Sequence, residues 1–595
     1  MDRPGAATTI EESPPVTAEE EIRRRVAELE LRFGDPGDPA NPVGFAALLA
    51  ADERSELLPA AVELLDELGF GAEFVPLALG GRLGRADALA RILRPVFRRD
   101  VALGFGYGIT SLFAAAAVWA AGSEEQRRRT AELISGGGRV CIVHHALAHG
   151  NAMWQGELTA RPSSGGEGFR LDGRKDVVIN AEQAGALVVY ARTAPERGPR
   201  GHSVLLVEPG GATVLPRQAS TGMRSCRFAG VEFTDCPVPD EAVVGQQGDG
   251  VRLALQTFQL NRSLISAALV GAADTALRTA VRAALAGSDG RPGNRHRALL
   301  AGVFADLLLC DGMATTVLRS LHLLPASGHL GAAAVKYLVP DLLREDLEEL
   351  GTVLGSAGYR GSDGGGDQGS LQKLQRDLPA ASLGHLGTAA CQAVLIPQLP
   401  LLARGSWFTT APPPPALFRF TEDLRPLELG ALEVAGGEDF LAAALVDAAA
   451  RLRELPGADR ADTDLGVLRG LVDAFLDELT DLRELFREAA LTDRGVTASP
   501  QWIGPADRYV LVAAAGAALG HWMAQDGDSP FLADPAWLVV ALFRLAGRLG
   551  RRMPELPRDC LERVFAEAVV RHRERRAFDL AGAELAERGE PRGGR

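Results

Sequence analysis

Lysine is almost absent from this sequence. Only three of the 63 basic residues are lysines, and all the others are arginines. No segment gathers them into a basic run, and the formal net charge of the 595 residues is −14. A protein that follows a phosphate backbone needs a basic face, so nucleic acid is not an expected partner. The three lysines are Lys175, Lys336 and Lys373.

Cysteines are few and widely separated. The six cysteines form no C-x-x-C pair, so we predict small buried thiols and neither a zinc site nor a disulfide framework. The first residues carry charges with no apolar segment behind them, which is unlike a signal peptide. We therefore expect a cytoplasmic protein. The cysteines are Cys141, Cys226, Cys236, Cys310, Cys391 and Cys560.

Long uncharged runs occur at residues 101–123 and 378–403. Both approach the length of a membrane-spanning helix. The first is rich in glycine and alanine, and the second is interrupted by Pro397 and Pro400. We predict buried helices at both places and no membrane span.

The sequence patterns predict helical, then β, then helical structure. Residues 1–138 form the first helical region, in which Thr17-x-x-Glu20 and Ser123-x-x-Gln126 have the spacing of capping boxes. Residues 139–242 alternate with a period of two and predict a β-domain. Helical periodicity returns over residues 243–404.

Turn residues divide the β-region into short runs. Residues 168–173 and 176–180 are predicted as two separate strands. Four consecutive prolines at 412–415 favour an extended linker over 405–416. Residues 417–595 are again helix-like and predict an additional helical domain.

Two polar segments are given ordinary interpretations. The glycine-rich residues 361–370 predict a flexible loop. The acidic cluster of Glu345, Asp346, Glu348 and Glu349 lies on a predicted helix, and a solvated helix face is the expected explanation.

Three segments form a recognisable frame late in the sequence: L-G-S-A-G-Y at 354–359, L-Q-K-L-Q-R-D at 371–377 and H-L-G-T at 385–388. They resemble the final helical segment of the acyl-CoA dehydrogenase and oxidase superfamily. Segments similar to earlier parts of that family precede them in the same order, and the resemblance covers about residues 60–400. These segments are 68–81, 121–137, 171–181 and 231–239, followed by Arg262.

The resemblance implies a mostly α fold with a central β-domain. The family's architecture is a helical domain, a β-barrel-like domain and a four-helix bundle, to which this chain adds a C-terminal helical domain. The resemblance also implies FAD as cofactor, an acyl-CoA or acyl-carrier-protein substrate, and a homodimer or homotetramer. An FAD-dependent oxidoreductase acting on CH–CH groups is the expected enzyme class.

Both positions where the family places its glutamate base are occupied by other residues. The residue before Gly387 is Leu386, and the residue before Arg262 is Asn261. Asparagine hydrogen-bonds but accepts no proton near neutral pH. The resemblance therefore places the catalytic region at Asn261, Arg262, His385 and Leu386, with the usual base absent.

The positions that the resemblance assigns to the flavin are also altered. Val177 stands where a tryptophan is expected, Ile179 where a threonine is expected, and Thr352 where a glutamine reaches the neighbouring subunit's FAD. Arg291 is an approximate substitute for the arginine of the pyrophosphate site. The cofactor-binding set is Val143, His144, His145, Val177, Val178, Ile179, Arg291, Thr352, Gly355 and Thr388, and the substrate pocket contains His149, Asn151 and Leu386.

Histidines replace polar residues of the family in the segment after residue 143. His145 and His149 have helical i, i+4 spacing, but the segment is predicted as a strand end and loop without a partner carboxylate, so we predict no metal. A polar loop beside a ligand pocket and an imidazole base both remain open for these residues. For His385, a structural role and a role as base or substrate anchor both remain open.

The leading hypothesis is a flavoenzyme that oxidises an acyl thioester or a related β-keto acid in specialised metabolism. Loss of the base is tolerable where the substrate generates its own enolate, which a β-keto acid does by losing carbon dioxide, and oxygenation is a further option for a reduced flavin. One alternative is a catalytically silent subunit that pairs with a competent homologue. Another is a cofactor-free enzyme that reuses the pocket.

Overall fold

The order of elements along the chain is helical, sheet, helical and again helical. The structure is a computed structural model, and it describes residues 17–144, 157–196, 198–287, 290–359, 366–383, 387–489, 500–525, 527, 529–551 and 553–586. This order confirms the predicted fold class, mostly α with a central β-domain and added C-terminal helices.

The N-terminal region is built from amphipathic and buried helices. Both predicted capping boxes are confirmed: the Thr17 hydroxyl accepts a hydrogen bond from Glu20 N, and the Ser123 hydroxyl accepts one from Gln126 N. The helices are α1 (Ala18–Phe33), α2 (Phe45–Glu53), α3 (Pro59–Glu67), α4 (Ala86–Arg99), α5 (Val101–Gly104), α6 (Thr110–Ala121) and α7 (Glu124–Ser135).

One sheet follows, and its longest strands are β3 and β7. The segment expected to form two strands is a single strand, β3, which keeps Gly173 inside it at φ +115° through an irregular register. Glycine tolerates that backbone conformation, so the predicted break is wrong. The strands are β1 (Arg139–Val143), β2 (Thr159–Pro162), β3 (Phe169–Ile179), β4 (Ala184–Arg192), β5 (His202–Val207), β6 (Thr213–Val214), β7 (Phe228–Val238) and β8 (Val243–Val244).

The strand order in the sheet is β6-β7-β3-β2-β4-β5-β8, and β1 pairs with β4 in parallel. The pairs β3–β7 and β4–β5 are antiparallel. The apolar face of the sheet has its own core, formed mainly by the alternate side chains of β3, β4, β5 and β7. The last strand, β8, extends the sheet slightly past residue 242, where the predicted domain ends.

Four long helices form a bundle after the sheet: α8 (Gly250–Ala286), α9 (Asn294–Leu323), α10 (Gly328–Leu354) and α11 (Gly366–Leu383). Helix α8 also packs closely on α4, because a Cβ at Gly271 would lie 2.9 Å from the Arg94 carbonyl oxygen. Two shorter helices, α12 (Thr388–Leu395) and α13 (Leu399–Gly405), complete this region.

Three helical segments are long and apolar enough to cross a membrane by length and composition alone: Val101–Ala121, Gly250–Ala286 and Asn294–Leu323. Their most apolar windows are 100%, 100% and 83% buried inside the protein. The run at 101–121 therefore lies in the protein interior. The second uncharged run, 378–403, is divided among α11, α12 and α13.

A long irregular segment, residues 406–439, separates the bundle from the last helices. It contains only single turns of 3-10 helix at Pro415–Leu417 and Leu429–Ala431, and the next α-helix begins at Phe440, beyond the predicted boundary at 417. The helices that follow are α14 (Phe440–Glu454), α15 (Asp464–Glu488), α16 (Pro500–Met523), α17 (Pro530–Ala533), α18 (Ala536–Gly547) and α19 (Arg558–Arg573).

Two expectations about polar segments are wrong in part. Residues 366–370 begin α11 rather than continuing a loop. Asp346 is only 2% exposed and lies near the guanidinium of Arg544 on α18, because the C-terminal helices cover that face of α10.

All six cysteines are buried, and none forms a disulfide.

Candidate functional site

The end of β1 meets the middle of α8. His144, the last described residue of this segment, is buried, and its ring centroid lies 5.7 Å from that of Phe258 and 6.2 Å from that of Tyr190. Phe258 lies one helical turn before Arg262, so both occupy neighbouring positions on one side of α8. The structure therefore brings His144 to the α8 segment that contains the predicted catalytic residues.

Asn261 and Arg262 are buried side chains with polar atoms that have no partner in the part of the chain that the structure describes. Asn261 is 0% exposed, and neither its amide nitrogen nor its amide oxygen has a hydrogen-bond partner among the described residues. Arg262 is 2% exposed, and its Nε and one Nη also lack a partner there. Buried polar groups are normally hydrogen-bonded, so such a pair indicates a place where a ligand or water is bound.

Two further polar side chains lie near this pair. Lys336 on α10 is buried, and burial lowers its pKa to about 8, with the nearby Arg262 adding to the effect and the Cys391 thiol opposing it. Burial raises the pKa of Cys391 on α12, while Arg262 and Lys336 pull it down. Because these side chains affect one another's pKa, Arg262, Lys336 and Cys391 lie near each other where α8, α10 and α12 meet.

Sequence reasoning missed Lys336 and Cys391 as site residues. The available signal was a single lysine within the apolar run A-A-A-V-K-Y-L-V of a predicted helix. His385 and Leu386, the predicted base region, lie outside the described residues, as do His145, His149 and Asn151. Thr388 begins α12, and its side chain is not described.

The β3 residues divide between two faces. Val178 belongs to the core of the sheet domain, as does Val143 of β1, so a contact of either residue with a cofactor would involve its backbone groups. Val177 and Ile179 are half-buried on the other side of the strand. They form a small apolar surface at the predicted flavin position.

Three other predicted cofactor residues lie at the opposite end of the bundle. Arg291 is exposed between α8 and α9, while Thr352 and Gly355 are exposed at the end of α10. A helical rise of 1.5 Å per residue places Thr352 about 24 Å along α10 from Lys336. These residues are therefore separate from the Arg262 site within one chain.

The Q-R-D motif has a structural role in α11. The Asp377 carboxylate accepts hydrogen bonds from the Lys373 ammonium and from Met223 N, the latter at 2.5 Å. Arg376 binds the Asp52 carboxylate at 2.7 Å and the Thr221 carbonyl at 3.2 Å. The motif thus fastens α11 to α2 and to the loop before β7.

Among the described residues, no group of three or more His, Cys, Asp or Glu side chains is arranged to hold a metal ion. The described carboxylates near the bundle instead form ion pairs. Lys373 lies 2.5 Å from Asp100 at the start of α5, for example. The described residues placed near Arg262, namely Asn261, Lys336 and Cys391, include no carboxylate.

Comparisons with known proteins match the two central regions. Residues 149–236 match the family model of the acyl-CoA dehydrogenase middle domain, and residues 248–398 match that of the acyl-CoA dehydrogenase C-terminal domain. The human mitochondrial short-chain specific acyl-CoA dehydrogenase is 29% identical over 238 residues, which are 39% of this chain and 57% of the human protein.

Solved structures show the same fold. The acyl-CoA dehydrogenase of Bacillus anthracis complexed with FAD has a TM-score of 0.63 at 14% identity, covering 93% of this chain and 89% of its own. Butyryl-CoA dehydrogenase from Megasphaera elsdenii has a TM-score of 0.57 at 19% identity, covering 65% of this chain and 100% of its own.

A helical domain, a central sheet and a four-helix bundle in this order define an acyl-CoA dehydrogenase-like protein. The middle and C-terminal family models are both matched in sequence order, so these two regions of the chain have the corresponding domains of the acyl-CoA dehydrogenase superfamily. The aligned part spans less than two thirds of the length of the curated relatives that it matches.

Proposed function

We propose that the protein is an FAD-binding member of this superfamily that acts on an acyl thioester or a related β-keto acid. The observation that carries the proposal is the buried pair Asn261 and Arg262, in which both amide atoms of Asn261 and two guanidinium nitrogens of Arg262 lack partners among the described residues. The pair lies on α8 next to the segment that meets the sheet domain. The resemblance to the family implies that substrate oxidation would take place beside this pair.

The shape of the β3 surface is compatible with a flavin ring bound at the sheet domain. Val177 and Ile179 form a half-buried apolar surface on β3, and a flat aromatic ring packs well on such a surface. Backbone groups of β1 and β3 would hold the polar edge of the ring, and Arg291 and Thr352 would lie near the cofactor of a neighbouring copy. When bound, FAD supplies a hydride acceptor.

The site residues suit a substrate that does not require a strong protein base. No described carboxylate forms an ion pair with Arg262, and Asn261 replaces one of the two glutamate positions. In a β-keto acid, the bond from Cα to the carboxylate breaks, carbon dioxide leaves, and the electron pair forms the enolate. Hydrogen-bond donors would stabilise the enolate oxygen, and no protein base is required for this step.

A silent subunit is the alternative function. It is supported by the Thr352 hydroxyl, which donates to the Glu349 carbonyl at 2.7 Å and so is already engaged within its own helix. In such a protein the fold would contribute an interface to a competent homologue. Assembly as a homodimer or homotetramer, and a cytoplasmic location, remain predictions.

The proposal is tested by measuring FAD in the purified full chain, before and after reconstitution. We expect a flavin absorbance spectrum and near-stoichiometric FAD. Ile179→Asp should abolish retention by placing a charge on the apolar surface, whereas Arg174→Asp, at an exposed position of the same strand, should leave it unchanged. Colourless protein that cannot be reconstituted would refute the flavoprotein and favour the silent or cofactor-free alternative.

A further inference from the structure

Arg262 differs from the other large buried arginines of the protein. Arg319 pairs with Asp87 at 2.8 Å, and Arg571 pairs with Glu567 at 2.9 Å. Arg94 is likewise paired, with Asp311 and Asp579. Arg262 is as deeply buried as these, yet it forms no ion pair with any described residue, and its Nε and one Nη have no hydrogen-bond partner there. A buried guanidinium without an anion is costly, so this position is suited to an anion brought by a ligand.

Asn261 precedes Arg262 in α8, and its side chain likewise contains buried atoms without a hydrogen-bond partner among the described residues. Both polar atoms of its amide are fully buried and unpartnered within the described part of the chain. An amide N–H can donate to a carboxylate oxygen while the guanidinium binds the same group through two parallel hydrogen bonds. The two side chains together therefore offer donors on neighbouring positions of α8.

The surrounding charges favour an anion at this place. Arg262 shifts the ionisation of Lys336, so the two cationic side chains lie close enough to interact. Asn261, at one of the two positions where the family has glutamate, is neutral. A glutamate at this position would repel a second carboxylate, and its replacement removes that repulsion.

We propose that the acyl part of the substrate carries a carboxylate, which is bound by Arg262 and Asn261. This inference rests on the proposed function and narrows its substrate class to acyl thioesters with a terminal carboxylate and to β-keto acids with a carboxylate besides the one lost as carbon dioxide. Arginine's planar fork matches a carboxylate geometrically. The middle of α8 is far from solvent, which suits a group at the end of an acyl chain better than a nucleotide phosphate.

Two thioesters of equal chain length test the inference. Succinyl-CoA and butyryl-CoA differ in a terminal carboxylate against a methyl group, and their affinities for the FAD-reconstituted full chain can be compared by isothermal titration calorimetry. We expect succinyl-CoA to bind at least about tenfold more tightly, as is typical of a charge-assisted hydrogen-bonded pair.

Variants identify the residue responsible. Arg262→Gln should abolish the preference for succinyl-CoA and leave butyryl-CoA binding nearly unchanged. Arg252→Gln is the matched control, because Arg252 is an exposed arginine of the same helix that pairs with Asp249. If Arg262→Gln fails to fold, Arg262→Lys keeps the charge without the planar fork and should reduce the preference by about half on a logarithmic scale.

The outcomes separate the inference from the proposed function. Equal affinities for the two thioesters, with FAD and butyryl-CoA both bound, would overturn the carboxylate site alone and leave water as the partner of Arg262. A preference that persists in Arg262→Gln would also overturn it. If neither thioester binds and FAD is not retained, the proposed function itself fails.

Discussion

Lys336 belongs to the candidate site, and its ionisation also affects the stability of the folded protein. Its side chain is buried at the junction of α8, α10 and α12, and burial together with Arg262 lowers its pKa from 10.5 to about 8. The unfolded chain therefore holds this proton more strongly than the folded chain between those pH values. The folded state is penalised at neutral pH and recovers stability as the pH rises through this interval.

We predict that Lys336→Met removes this increase in the free energy of unfolding with pH. The free energy of unfolding of the parent protein, relative to the variant, should increase by about 3 kcal/mol between pH 8 and pH 10.5. Urea denaturation across that range measures it. Both proteins should carry Cys391→Ala, because the neighbouring thiol also titrates in alkaline solution. Parallel curves for the two proteins would contradict the prediction.

Residue-scale prediction from the sequence worked where the cause was local. The capping boxes at Thr17 and Ser123 depend on residues three positions away and were therefore visible in the sequence. Asp346 was misjudged because the helix that covers it, α18, lies almost 200 residues later in the chain. The cluster of Lys336 and Cys391 with Arg262 escaped notice for the same reason, since only tertiary packing joins those positions.

At the scale of secondary-structure elements, helix α11 connects the bundle to the N-terminal helices and to the loop before β7. Lys373 lies between Asp100 and Asp377, and the two carboxylates raise its pKa against the opposing effect of burial. Arg376 reaches Asp52 on α2. A Cβ at Gly222 would lie 1.8 Å from the Arg376 carbonyl oxygen, so the loop before β7 contacts the helix backbone directly. The family frame at this motif was visible in the sequence, but its mechanical role was not.

Replacing Asp377 should loosen that connection. Asp377→Asn removes a fully buried charge from the Lys373 ammonium, and we expect a loss of about 3 kcal/mol in the free energy of unfolding. The Met223 amide should also exchange its hydrogen faster, because its acceptor is weakened. Asp341→Asn, at an exposed ion pair on α10, is the control and should change stability by less than about 1 kcal/mol.

The irregular segment 406–439 is a second element whose behaviour depends on a few contacts. Arg319 on α9 donates to the Ala416 carbonyl at 2.6 Å and to the Glu422 carbonyl at 2.9 Å. Its remaining nitrogen pairs with Asp87 on α4. The proline run predicts an extended chain, but it contains no information about this attachment.

We predict that Arg319→Gln exposes the segment to proteases. Loss of the two backbone hydrogen bonds and the ion pair frees residues 416–422, so limited chymotrypsin digestion should cut near Phe418 or Phe420 at least about tenfold faster. Arg344→Gln, at a partly exposed position on α10, should not alter the rate. Unchanged cleavage in Arg319→Gln would show that the apolar packing of Leu417 and Phe418 suffices to hold the segment.

At the scale of the whole molecule, the end of the described chain returns to the N-terminal helices. Asp579 lies 3.0 Å from Arg94 and 3.1 Å from Arg98, both on α4. Phe578 N and Leu580 N donate at 2.8 Å to Asp274 on α8 and to Asp311 on α9. The added C-terminal region is therefore joined to the family core through buried charges rather than through the linker alone.

This junction makes a prediction about the integrity of the entire fold. Burial alone would raise the pKa of Asp579, but Arg94 and Arg98 lower it to about 2, so its contribution to stability is present above about pH 4 and is lost as the pH falls towards 2. Asp579→Asn should therefore lower the free energy of unfolding at pH 7 by about 3–5 kcal/mol, because it leaves two buried guanidinium groups short of a carboxylate. Asp559→Asn provides a control at an exposed ion pair on α19. Urea unfolding followed by intrinsic fluorescence measures both variants. Equal stability of Asp579→Asn and Asp559→Asn would mean that the C-terminal region folds independently of α4. A loss of stability in Asp579→Asn alone would show that the buried charges connect the C-terminal region to α4.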